Sequence, residues 1–180
     1  MQMKFSDFIQ SLNIDFSKYE LKESYFDHLS IIHDLQHTYR VMLNVLRLGY
    51  LLNDPARTRL AFAGAFIHDM ARINDKPEPK HGLRACRTKK HLIPDEFDQW
   101  EFNQIMLAVR FHTLKEFIPT DRVSLILRDA DLLDRFRLTC NEQFRFSSKE
   151  AQGMIEFSKG LLERKLNIDV FSNLISRDVQ

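Results

Sequence analysis

The chain has 180 residues, 44% of them hydrophobic and 28% charged, with a formal net charge of +1. That length and balance fit one globular domain of roughly 100–200 residues. They give no global field that would steer the chain to a nucleic-acid polymer or an anionic membrane.

Strand-like alternation is nearly absent, and apolar residues recur at helical spacing. From near Ser24, the stretch SYFDHLSIIHDLQHTYRVMLNVLRLGYLL places Leu35, Tyr39, Met42, Leu43, Leu46 and Tyr50 on one stripe, which predicts a long amphipathic helix. Asn53-Asp54-Pro55 ends it and opens the next, with Asp54 as N-cap and Pro55 at the first helical position. This second helix, ARTRLAFAGAFIHDMAR, is apolar around most of its circumference, so it should be central and buried and should end near Arg72. INDKPEPKHG reads as a loop, LRACRTKKHL as a short basic helix, and Ile93-Pro94-Asp95 as the opening of a helix through DEFDQWEFNQIMLAVRFHT. LKEFIPTD is a loop and RVSLILRDADLLDRFRL a helix with a strong apolar stripe. Two tail helices are expected around Lys149–Arg164, capped by Ser147 or Ser148, and Ile168–Ser176. The sum is an all-α domain of seven or eight helices, with the shift in composition after Leu138 marking a C-terminal appendage.

Cys86 and Cys140 form no CxxC or CxxH pattern and read as free thiols of a reducing compartment. The opening MQMKFSDFIQ lacks the apolar core of a signal peptide, and no apolar run approaches the ~20 residues that cross a bilayer. A cytoplasmic protein is expected.

The seven histidines are His28, His33, His37, His68, His81, His91 and His112. His68 and Asp69 close the most apolar helix, His112 closes another, and Asp129 and Asp131 lie inside the apolar run SLILRDADLL. Burying such groups costs several kcal/mol each, of order ~2–7 for a polar group, unless something satisfies them. A metal ion would. His81 follows the loop leaving the His68-Asp69 helix, and His37 lies within a turn of the first apolar stripe. Imidazole and carboxylate together suit Zn, Fe, Mn, Ni or Co. His37, His68, Asp69, His81, His112 and one of Asp129 and Asp131 exceed what one tetrahedral ion needs and suit two ions sharing a carboxylate.

In these residues the chain resembles the HD-domain metal-dependent phosphohydrolases. HDLQHTYRV is similar to the family's first motif, whose ligand is the second histidine, here His37. FIHDMAR looks like the defining His-Asp motif, and LILRDADLLDR like the closing motif, with Asp131 as its best match and Asp129 as the alternative. KHGLRAC and AVRFHT resemble segments of binuclear members, which include diadenosine tetraphosphate hydrolases, cyclic-di-GMP phosphodiesterases and di-iron oxygenases. The motif-bearing core covers about residues 20–138 of a single HD domain over 1–180, and the appendage 139–180.

The resemblance implies one ion held by His37, His68, Asp69 and Asp131, and a second held by His81 and His112, with Asp69 bridging. His68 and Asp69 are then the catalytic pair. His33 is expected off the metal, and Asp34 is expected to orient a neighbouring group. The implied activity is hydrolysis of a phosphoester or phosphoanhydride in a nucleotide or other small phosphorylated metabolite, with Fe or Mn favoured among Fe, Mn, Zn, Ni, Co and Mg. Arg40, Arg72, Lys80 and Arg84 are the expected phosphate contacts, since guanidinium forks match phosphate oxygens. The alternatives are a di-iron oxygenase and a non-catalytic regulatory domain that binds nucleotide or metal. Cyclic-di-GMP hydrolysis is disfavoured because no Gly-Tyr-Pro tripeptide occurs. Trp100, Phe97 and Phe102 are expected in the core, His28 and His91 on the surface, and Asn74 and Asp75 as loop caps or site hydrogen-bonders. The Phe-rich tail is expected to pack on the domain or on a second copy in a homodimer.

Overall fold

The computed structural model describes residues 3–113, 120–138 and 145–176. Among them are nine α-helices and no strand, which agrees with the expected all-α bundle. The first helix, α1 (Phe5–Ser11), was not anticipated; it is two turns long and buries Phe5 and Phe8, both set edge-on to Tyr50.

α2 spans Leu35–Leu51. It begins well after Ser24 because Asp34 is extended and its carboxylate accepts the amide of His37, which stops the helix from growing backwards. Residues before it form two 3-10 turns, Phe16–Tyr19 and Glu23–Tyr25. α3 (Pro55–Ile67) opens as expected, with Asp54 accepting from the Arg57 amide. It stops at Ile67, short of Arg72: the chain tightens into turns, Met70 bonding to the carbonyl of Ile67 and Arg72 to that of Asp69. α4 covers His81–Thr88. α5 runs over Gln99–Phe111, later than Asp95, because Asp98 and Glu101 form a reciprocal capping box. α6 (Arg122–Asp134) is capped by Asp121, and α7 (Lys149–Gln152) by Ser148. Gly153 and Met154 break the single helix expected over Lys149–Arg164, so α8 (Ile155–Leu162) follows, then α9 (Ile168–Ser176).

α3 is the hub, packed by α2, α5 and α6. Its residues from Leu60 to Ile67 are all buried, and Ala61, Ala63, Gly64 and Ala65 let the neighbours close in. α2 and α3 meet where Gly49 faces Thr58; a Cβ there would fall 1.8 Å from the Thr58 hydroxyl. The tail is part of the same core. Phe171 of α9 is fully buried against Phe16, Tyr39 and Phe62, and Gln36 exchanges two hydrogen bonds with the backbone of Leu166.

Trp100 is not core; it is 60% exposed. It sits in the first turn of α5, around the helix from the buried stripe of Ile105, Ala108 and Val109, while Phe97 stacks under Arg59 at 4.3 Å. Cys86 is a free thiol that donates to the Met106 carbonyl, and burial pushes it up to about 11. Cys140, most of the LKEFIPTD loop and the NEQF segment lie outside the described residues. Among the described residues no helix is long and apolar enough to cross a membrane.

Candidate metal centre

Helix ends build the site. His37 lies in the first turn of α2, His68 caps α3 with Asp69 in the turn beyond, His81 opens α4, His112 caps α5, and Asp131 lies in the last turn of α6. The structure brings all six together. His37, His68 and Asp69 offer ligand atoms within 4.8 Å of one another, and so do Asp69, His81 and His112; both groups are buried and could hold a metal ion.

Asp69 stands between the two groups. Its Oδ2 lies 3.3 Å from His37 Nε2 and 3.8 Å from His68 Nε2. Its Oδ1 lies 2.7 Å from His81 Nε2 and 3.5 Å from His112 Nε2. Asp131 joins the first group, its Oδ1 3.4 Å from His37 Nε2 and 3.9 Å from His68 Nε2. Asp129 does not: it accepts from the Ser147 amide and the Ser148 hydroxyl and anchors the start of the tail.

The outer ring nitrogens fix the tautomers. His68 Nδ1 donates to the carbonyl of Ala65, His112 Nδ1 to that of Val109 and His81 Nδ1 to that of Glu78, each three residues back. His37 Nδ1 donates to the Asp134 carboxylate at 2.7 Å. Each proton is thereby committed to Nδ1, and each Nε2 turns a lone pair inward. Yet His37 and His68 Nε2 are 3.2 Å apart, and His81 and His112 Nε2 are 3.1 Å apart. Facing lone pairs at that distance repel unless a cation, a proton or a metal ion, lies among them. Asp69 Oδ1 has the same character, buried and without a hydrogen bond although His81 Nε2 is 2.7 Å away. Converging imidazoles and carboxylates with oriented outer nitrogens fit a divalent ion such as Zn, Fe, Mn, Ni or Co.

The electrostatics keep the donors available. Burial pushes His68 down to about 4 against the raising pull of Asp69, so its ring is neutral at ordinary pH. Burial alone would raise Asp69, but His68 and the other imidazoles around it hold its carboxyl well below the usual range. Burial likewise opposes ionisation of Asp131, but His37 and His68 bring it to about 2.

Comparison of the chain with family models, curated proteins and solved structures returned no match.

The expected phosphate contacts fare differently. Arg40 is buried and grips Asp134, with Nε at 2.6 Å. Arg84 is engaged by Glu78 and the Ala71 carbonyl. Neither guanidinium is free for a phosphate, because a carboxylate already occupies it. Arg72 lies at the second group, 3.2 Å from His81 Nδ1 and 3.8 Å from Asp69 Oδ1 while donating to the Lys76 carbonyl. Lys80 is exposed at the start of α4. Asn74 accepts from the Lys76 amide as a loop cap. His28 is half-buried against Asp75 rather than on the surface, and His91 is exposed.

Asp134 escaped sequence reasoning. It accepts from His37, Arg40 and Arg137 at once, and these three hold its buried carboxyl below the usual range. The available signal was its place three residues after Asp131, on the same helix face.

Proposed function

We propose that the chain is a metal-dependent phosphohydrolase of the HD-domain kind, cleaving a phosphoester or phosphoanhydride of a nucleotide or other small phosphorylated metabolite. The observation that carries this reading is the division of Asp69. Its two oxygens address two separate buried histidine pairs, an arrangement suited to paired ions sharing one carboxylate.

In this reading His37, His68, Asp69 and Asp131 hold one ion and His81, His112 and Asp69 the other. Iron or manganese is favoured, in line with the mixed nitrogen and oxygen donors. Bound divalent ions would supply Lewis acidity toward a phosphoryl oxygen and a hydroxide nucleophile at neutral pH. The protein's own groups do the rest. Asp134 keeps the His37 proton on Nδ1, the carbonyls of Ala65, Glu78 and Val109 do the same for the other rings, and the walls of α3 exclude water from behind. The approach is from the Asp131 side, whose side chain is 18% exposed against 3% for Asp69. Arg72, beside Asp69, is the cation best placed to meet an incoming phosphate.

The test is turnover of nucleoside mono-, di- and triphosphates and dinucleoside polyphosphates by manganese- or iron-loaded protein under argon. The reading expects phosphate release without oxygen, lost in His68→Ala and Asp69→Ala. Activity that survives both substitutions in chelated protein would overturn the mechanism, and activity that needs oxygen would overturn the reaction class.

A further inference from the structure

We infer that His33 is a substrate-contacting residue whose imidazole meets the phosphoryl group beside the metal centre. This rests on the hydrolase reading above.

His33 is not part of α2; it precedes the helix by one residue beyond the Asp34 cap. Its ring stands edge-on to that of His37, with centroids 5.4 Å apart. Its Nε2 is 3.9 Å from Asp69 Oδ2, and its Nδ1 is 3.7 Å from Asp75 Oδ1, both too long for hydrogen bonds. Nδ1 is buried with no partner. Every other histidine of the cluster has its outer nitrogen anchored on an oxygen. His33 alone, among the described histidines at the centre, has neither nitrogen in a hydrogen bond.

A polar ring in that state is costly unless a ligand completes it. The backbone around it is braced as though the position matters. The Ser30 hydroxyl accepts from the amides of Ile32 and His33 and donates to Asp75, and Arg137 donates to the Ile32 carbonyl. Arg137 also binds Asp134, so the same set of contacts that orients His37 holds the His33 segment. Exposure places the ring at the entrance: the His33 side chain is 17% exposed, close to the 18% of Asp131, whereas His68 is sealed. A phosphoryl group that reaches Asp69 from the open side must pass within reach of His33 Nε2, which then donates to a non-bridging oxygen.

The experiment uses manganese-reconstituted full-length protein, wild type, His33→Ala and His33→Gln. It reads metal content, thermal midpoint and affinity for inorganic phosphate by calorimetry. Unchanged metal content, about tenfold weaker phosphate binding in His33→Ala and partial recovery in His33→Gln, whose amide can donate from a similar position, support the inference. Wild-type phosphate affinity in both variants overturns it. So does loss of metal in either folded variant, which would make His33 a ligand or a prop, and so does absence of phosphate binding by the loaded wild type. Phosphate binding without turnover of any substrate would fail the hydrolase reading and leave the role of His33 standing.

Discussion

Asp134 and His37, 97 residues apart in sequence, meet at 2.7 Å, carboxylate to imidazole Nδ1, with Arg40 and Arg137 closing on the same carboxylate. The contact orients a ring whose other nitrogen faces the candidate metal centre, and such outer contacts tune metal affinity by about 10–100-fold. Asp134→Asn should therefore weaken one metal-binding event by that factor and leave the His81–His112 side less affected, as metal titration will show. Asp134→Ala also strands the buried Arg40 guanidinium and removes one partner of the half-buried Arg137, and should cost about 3–5 kcal/mol by urea unfolding.

His68, Asp69, His112 and Asp131 were legible as chemically expensive residues at apolar helix ends or inside an apolar run, while His37 and His81 were picked out by their place beside the first apolar stripe and after the His68-Asp69 loop. Their outer contacts were not. Arg40 reads like a phosphate contact one turn from His37, and only the folded chain shows that α6 brings Asp134 against it. Helix starts failed where capping overrides periodicity, at Asp34 and Asp98. Trp100 misled because aromatic residues attract a core assignment, while its place on the first turn of α5 turns it outward.

Gly82 sets the distance between α4 and α5. A Cβ at that position would fall 2.3 Å from the Val109 carbonyl, the same oxygen that holds His112 Nδ1. Gly82→Ala must push α4 away and carry His81 off the centre. A destabilisation of about 1–3 kcal/mol is expected, together with loss of one ion per chain, read by chemical denaturation and by metal analysis of the same sample.

Chelated protein should lose stability as pH falls from 6.5 to about 4. Burial holds His68 at about 4 in the folded chain, and it does the same for His33. An unfolded histidine near ~6.5 takes up a proton first, so their contribution is complete above 6.5 and is lost on the way down. His68 accounts for on the order of 3 kcal/mol at most. Asp131, at about 2, adds a further loss between the ordinary carboxylate value of 3.8 and 2. His37 acts in the opposite sense: Asp134 and Asp69 overcome burial and raise it, so its contribution is present below 6.5 and fades as pH rises through its folded value. Urea midpoints across this range check the sign; a midpoint that rises on acidification from 6.5 to 4 would refute it.

Metal removal should be visible as stability. The ligand candidates come from five helices and the turn after α3, so an ion that binds only the folded chain ties them together. At a free ion concentration of about 1,000 times Kd the gain is about 4 kcal/mol, or roughly 10 °C in a chain of this size. A melting curve with and without chelator measures it, and Asp69→Ala should abolish the difference.

The central claim is a centre for two ions divided by Asp69. Its most direct test is metal content per chain by mass spectrometry, for protein purified without chelator and after reconstitution with iron or manganese. Wild type is compared with the double substitution His81→Ala and His112→Ala. The account predicts two ions in the wild type and one in the variant. No bound metal in the reconstituted wild type would contradict it.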